Sequence, residues 1–148
     1  MFVPKRILVP TDFSEYSDKA LAAAQDIAKC FNAKIDVLHV VDEGLHECAD
    51  QYCIDPAIMN KVREAGIRGS QEKMQAEADR VKQDGVETEF SIRQGTPYDE
   101  ILKEQQEKQI DLIVIATHGR TGLLSHLIGS VAEKVSRSAR CPVLLVRS

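Results

Sequence analysis

Leu112-Ile113-Val114-Ile115-Ala116-Thr117-His118-Gly119-Arg120-Thr121-Gly122 is the stretch that decides the fold. Its first four residues read as a buried strand. A turn of small residues follows, then a short apolar segment, and Gly129-Ser130 opens a helix. A strand feeding such a turn, with Gly-Ser at a helix start, suits an anion. Glycine lets backbone N–H groups approach phosphate oxygens with no β-carbon in the way. The helix start adds orphan N–H donors and the positive end of the dipole. Most glycine-rich turns only turn the chain, so the spacing has to carry the distinction. It is not a Walker A loop, because no Gly-Lys-Ser/Thr follows. It is not G-x-G-x-x-G either.

The rest of the chain alternates strands and helices around this stretch. Arg6 to Pro10 reads as a short buried strand. Asp12 and Ser14 follow, and Ser14 is placed to cap a helix running to about Cys30. Ala20, Ala24, Ile27, Ala28 and Phe31 form its apolar face. Lys34 to Val41 is the second strand, with His39 inside it as a core or half-buried histidine. Asp42 to Pro56 is polar, acidic and without period, and reads as a loop. A helix from about Asp55 to Ala65 is expected to break or kink at Gly66 and Gly69, each costing about 1 kcal/mol inside a helix. A second piece from Ser70 to Asp84 carries Met74, Ala78 and Val81, with Gly85 as its C-terminal stop. Val86, Thr88, Phe90 and Ile92 alternate with Glu87, Glu89, Ser91 and Arg93, which predicts an edge strand with one solvated face. Gly95-Thr96-Pro97 turns into a helix to about Lys108. A last helix, Ser130 to about Ala139, precedes a last strand, Pro142 to Val146.

This alternation predicts an α/β fold with right-handed crossovers and a mainly parallel sheet. A chain of 148 residues most simply forms one domain with a real core. The hydrophobic fraction of 43% and the charged fraction of 28% are those of a globular protein. The net charge of −4 argues against a general nucleic-acid partner. No apolar run is long enough for a bilayer, so no membrane partner is expected. Met1 to Lys5 has no signal-peptide pattern, and the expected location is cytoplasmic.

The spacing Ala116-x2-Gly119-x9-Gly129-Ser130 resembles the nucleotide loop of the universal stress protein family, G-x2-G-x9-G-[ST]. The resemblance runs from Ile7-Leu8-Val9-Pro10-Thr11-Asp12-Phe13-Ser14 to Cys141-Pro142-Val143-Leu144-Leu145-Val146. One position departs from the pattern: Ala116 stands where the family has its first glycine. The resemblance implies a five-stranded open sheet of order 3-2-1-4-5 with helices on both faces. Strands one and four are then neighbours at the switch point, where open α/β sheets bind ligands. It also implies ATP or a related adenine nucleotide (ADP or AMP) with Mg2+, held in a regulatory role. Pro10, Thr11 and Asp12 map to the adenosine side. Val40 maps to a backbone contact with adenine, and Ile115 and Ala116 lie beside base and ribose. Gly119, Gly129, Ser130 and Val131 map to the phosphates.

Chemistry adds its own reading of these residues. A carboxylate at Asp12 suits a ribose diol, and equally suits a turn or helix cap. Ser130-Val131-Ala132-Glu133 is a capping-box pattern, which would occupy the serine hydroxyl. Arg120 offers a cation to a terminal phosphate, or is a solvated loop residue. His118 is the one acid/base group in the glycine stretch. No serine or cysteine nucleophile stands in a recognisable motif, so binding without efficient turnover is the economical reading. Two others stand beside it: an interaction protein with an empty site, and a weak ATPase using His118.

The loop residues His46, Cys48, Asp50 and Cys53 match no strong zinc spacing. An oxidisable thiol pair at Cys48 and Cys53 and an inert loop remain as readings. Cys30 and Cys141 are expected as small buried hydrophobes. The apolar strand Pro142 to Val146 falls at a sheet edge in the implied topology, which predicts a two-fold dimer through it.

Overall fold

The structure is a computed structural model that describes residues 1–43, 54–119 and 127–147. The elements are β1 (Arg6–Pro10), α1 (Glu15–Phe31), β2 (Lys34–Asp42), α2 (Pro56–Val81), a 3-10 turn (Lys82–Asp84), β3 (Thr88–Gly95), α3 (Pro97–Glu107), β4 (Leu112–Ala116), α4 (Ser130–Ser138) and β5 (Val143–Val146). The sheet has the order β3-β2-β1-β4-β5, and every neighbouring pair is parallel. Strand β1 is therefore central with β4 beside it, and their C-terminal ends open on the same crevice.

Strand alternation sorts the apolar residues into two cores. Ile7, Val9, Ile35, Val37, Leu112 and Val114 face α1 and α2, where they meet Ala20, Leu21, Ala24, Met74 and Val81. Leu8, Leu38, Ile113 and Ile115 face α3 and α4, where they meet Ile101, Ala132 and Val135. Near-continuous apolar runs in β1 and β4 are what a parallel strand covered on both faces requires. Small alanines on α1 let that helix lie close to the sheet. Ser14 caps it by accepting the Ser17 N–H at 3.2 Å, and Asn32 closes it in the left-handed region at φ 55°.

Four expectations are corrected. The helix through Gly66 and Gly69 does not break: α2 is continuous from Pro56 to Val81. Both glycines keep helical backbone on an open surface, where a β-carbon would meet nothing within 4 Å. A glycine weakens a helix but does not dictate a turn unless a positive φ or close packing demands one. Cys30 is exposed rather than buried, and Phe31 is exposed as well, because the last turn of α1 overhangs the core. Cys141 is only half-buried, packed against the α3–α4 core.

The charged face of β3 is the fourth. Ser91 and Arg93 do not simply face water: α3 lies over them with a matching row of charges, while Glu89 stays exposed as expected. Ser91 Oγ donates to Glu104 Oε1 at 2.9 Å. Arg93 pairs with Glu100, Glu104 and Glu107. Lys108 Nζ reaches Glu104 at 2.9 Å and Asp36 at 3.0 Å, and Arg6 holds Asp36 from the other side at 3.2 Å. The Asp36 and Glu104 side chains are 1% and 2% exposed, so this is an ionic seam inside the fold. The edge position of β3 itself is as expected.

Candidate functional site

The loop after β1 is built by its own hydrogen bonds. Thr11 N–H donates to the Leu38 carbonyl at 2.8 Å. The Thr11 hydroxyl accepts the Phe13 N–H at 3.0 Å and donates to Ser17 Oγ at 3.1 Å. That hydroxyl is therefore committed to shaping the loop. Phe13 sits at φ 62°, a region that disfavours a bulky side chain and costs about 1–3 kcal/mol. Its ring lies 4.5 Å, centroid to centroid, from that of His39. His39 Nδ1 is 2.8 Å from the Thr11 carbonyl oxygen, so Nδ1 donates there and braces the strained turn from β2.

This strain aims Asp12. Its Oδ1 accepts the Ser14 N–H at 3.0 Å, as a turn aspartate does. Its Oδ2 points across the crevice to Gly119: a β-carbon on Gly119 would stand 2.9 Å from it. The turn reading of Asp12 therefore holds for Oδ1, while Oδ2 faces the Gly119 side of the cleft.

On the other side, Thr117 follows β4 and is buried. Its carbonyl accepts the Gly129 N–H at 2.6 Å. A β-carbon on Gly129 would lie 3.0 Å from that same oxygen, so glycine is needed for the two backbones to meet. Gly129, not Ser130, is the N-cap of α4, and no side chain caps it. The capping-box expectation is thereby corrected: Ser130 is the first helical residue, past the position from which its hydroxyl would cap. The N–H groups of Ser130, Val131 and Ala132 are the orphan donors of this helix start, and all three residues line the crevice.

The crevice is a cleft of about 240 Å³ beyond the ends of β1 and β4. It brings together Pro10, Thr11, Asp12, Val40, Ile115, Ala116, His118, Gly119, Gly129, Ser130 and Val131. Arg120 lies outside the described residues, as do His46, Cys48, Asp50 and Cys53. Ala116 packs against the α1–α2 core, following the alternation of Leu112 and Val114. Among the described residues no group of three metal-ligating side chains occurs, and no helix is long and apolar enough to cross a membrane.

Sequence reading missed several residues here. Leu38, Pro97 and Ile101 also line the cleft. Pro97 and Ile101 come from the first turns of α3, which the Gly95-Thr96-Pro97 turn delivers to the same sheet end. Thr117 was legible only as filler between Ala116 and Gly119.

The donor set fits an anionic ligand that also carries hydroxyls and an apolar face. The lining combines the residues of the α4 start, Gly119 and Gly129, the Asp12 carboxylate, and the apolar side chains of Leu38, Val40, Ile101 and Ile115.

Known proteins agree with this architecture. A universal stress protein of Methanocaldococcus jannaschii, MJ0531, is 36% identical over 97% of this chain and 82% of its own length. The structure of MJ0577 from the same organism matches with a TM-score of 0.85 at 28% identity, covering 99% of this chain and 98% of that one. A universal stress protein solved in complex with cAMP matches with a TM-score of 0.68 at 25% identity, covering 99% of this chain and 98% of its own. The sequence profile of the Universal stress protein family matches residues 4–147, and with these relatives, this cleft and this strand order, the chain belongs to the universal stress protein family.

Proposed function

We propose that this chain, acting as a single domain in the cytoplasm, binds ATP or a related adenine nucleotide with Mg2+ in a regulatory stress-response role. The observation that carries the reading is the pair of glycine approaches flanking the α4 start. A β-carbon would press on Asp12 Oδ2 at Gly119, 2.9 Å away, and on the Thr117 carbonyl oxygen at Gly129, 3.0 Å away. The two glycines let the loops close on each other at the rim of a cleft that the α4 start also lines, which supports a ligand held by backbone there. A relative in complex with cAMP supports the adenine-nucleotide class.

The roles proposed are those the family resemblance implies, and the common lining of one cleft supports them. The Ser130 and Val131 amides and the Gly119 backbone take the phosphates, and Asp12 takes the ribose hydroxyls. Val40, Ile115 and Ala116 enclose base and sugar beside Pro10. Gly129 contributes through its missing side chain, since its N–H is already given to Thr117. His118 lines the same cleft, and Arg120, which lies outside the described residues, is proposed as a cation for a terminal phosphate. No serine or cysteine nucleophile stands in a recognisable sequence motif, and the reading is binding without efficient turnover.

Two measurements test it. Mass spectrometry of small molecules released from denatured purified protein should find an adenine nucleotide. Stripped protein at a hundredfold excess of ATP–Mg2+ over Kd should melt about 5–10 °C higher, from about 2.7 kcal/mol of linkage at roughly 2–4 °C per kcal/mol. Asp12→Ala should weaken ATP, ADP and AMP alike. Stripped wild-type protein giving no melting shift and no calorimetric heat with any of the three would overturn the proposal.

A further inference from the structure

We propose that Thr117 is a positioning residue of the cleft. Its hydroxyl fixes the His118 ring as the Nδ1–H tautomer, while its backbone ties the start of α4 to the end of β5. The ligand arm of this proposal rests on the nucleotide reading above; the ring arm does not.

Thr117 is 2% exposed and touches three parts of the fold. Its N–H donates to the Val146 carbonyl at 3.0 Å, and its own carbonyl accepts the Gly129 N–H at 2.6 Å. Its Oγ1 lies 3.4 Å from the Val146 carbonyl oxygen and 2.9 Å from His118 Nδ1. A hydroxyl has one proton to give. The Val146 carbonyl has none, so in that longer contact Thr117 is the donor. With the proton so placed the hydroxyl oxygen accepts and Nδ1 carries the proton; the 2.9 Å contact alone fits either direction, and Nε2 decides between them.

A second observation points the same way. His118 Nε2 is buried with no hydrogen-bond partner among the described residues. A bare lone pair in that position costs less than an orphaned N–H, since buried donors are almost always paired whereas acceptors are left short more often. The neutral ring with its proton on Nδ1 satisfies both constraints; the other tautomer violates both.

The consequence is a fixed ring next to Gly119, with the α4 start pinned through the same residue. Thr117→Val keeps the shape and the backbone bonds but removes the hydroxyl. Thr117→Ser keeps the hydroxyl.

The test is long-range proton–nitrogen NMR of the imidazoles in ligand-free protein above the ordinary histidine range, at about pH 8.5. Wild type and Thr117→Ser should show His118 protonated at Nδ1, and Thr117→Val should lose that preference. In parallel, Thr117→Val should weaken ATP–Mg2+ binding about tenfold, the scale of one lost hydrogen bond, while Thr117→Ser restores affinity to near wild type. Wild type protonated at Nε2 would overturn the proposal, and that spectrum needs no variant to fold. So would a folded Thr117→Val with the wild-type tautomer and affinity. Should wild type bind no adenine nucleotide, the nucleotide reading fails on its own. A ring that still loses its Nδ1–H preference in Thr117→Val would then uphold the positioning role.

Discussion

The carboxylate of Asp12 and the α-carbon of Gly119 face each other so closely that Oδ2 occupies the neighbourhood of a missing β-carbon, 2.9 Å from where it would stand. The loops after β1 and β4 are therefore fitted to each other through one side chain and one absence. Gly119→Ala forces the carboxylate aside and puts its bond to Ser14 N–H at risk, worth about 1 kcal/mol. The expected outcome is a melting temperature lower by about 2–4 °C, with more than half of the ATP-induced shift gone. Gly129→Val meets a backbone oxygen rather than a movable side chain. It should cost about 1–3 kcal/mol from overpacking and abolish most of the ATP shift. Thermal melts with and without ATP–Mg2+ check both.

Ala116 departs from the family glycine, yet its methyl packs against the α1–α2 core. Ala116→Gly should leave ATP affinity within about threefold or improve it, a change below about 0.7 kcal/mol. It should also lower stability by about 0.5–1 kcal/mol, from a lost buried methyl and a freer backbone. Calorimetric titration and a denaturant melt separate the two effects. A large gain in affinity would mean that the methyl does crowd the ligand.

Gly66 and Gly69 lie within α2 with open space around their absent β-carbons. Gly66→Ala and Gly69→Ala should each stabilise the protein by about 0.5–1 kcal/mol through helix propensity. Urea denaturation of the single and double variants reads this directly. A loss of stability in either would show that the glycine serves something beyond the helix.

The ionic seam makes stability depend on acid. Burial pushes the Glu104 carboxyl up, but Lys108, Ser91 and Arg93 together hold it below its ordinary value. Glu100 is also held low, by Lys103 first and then Arg93 against the effect of burial. A depressed folded value contributes stability that is complete above the unfolded carboxyl range. It is lost as pH falls from that range through the depressed folded value. Glu104→Gln leaves Arg93 and Lys108 short of a buried partner and should cost about 3 kcal/mol at neutral pH. Its acid limb should be flatter than that of the wild type. Comparing the two proteins between about pH 7 and pH 3 isolates Glu104 from Glu77. Burial raises Glu77 despite Arg80, which gives a slope of opposite sign.

At the other edge of the sheet, β5 exposes Leu144 to 40%, while Leu145 packs on the α3–α4 core. We expect a two-fold dimer through β5, and Leu144→Lys should dissociate it without unfolding the chain. Light scattering at micromolar concentration, with circular dichroism for the fold, checks it. A monomeric wild type would remove the expectation.

Strand existence and order of elements were legible because buried parallel strands leave unmistakable apolar runs, as in Leu112 to Ile115. The pairing of sheet ends was legible only through family spacing. What escaped reading was long-range polar chemistry. Nothing local to Arg93 says that its partners will be Glu100 and Glu104, because that depends on the docking of α3. Ser130 misled for a related reason. Its capping-box pattern is real, but the Thr117 carbonyl fixes Gly129 and shifts the helix start by one residue. Thr117 itself carries no sequence signal beyond its place inside the glycine spacing.

Helix α2 is one element in geometry and two in thermodynamics. None of its residues before Met74 is buried; Met74 and Val81 are. Its first four turns therefore rest on propensity, the Asp55 cap and the partial burial of residues such as Met59 and Ile67, while its last turns open only with the core. Amide hydrogens early in the helix should exchange through local fraying, and those after Met74 only with the global unfolding of the sheet. The early turns are therefore the part of this molecule that evolution, or an engineer, is free to rewrite without consulting the cleft.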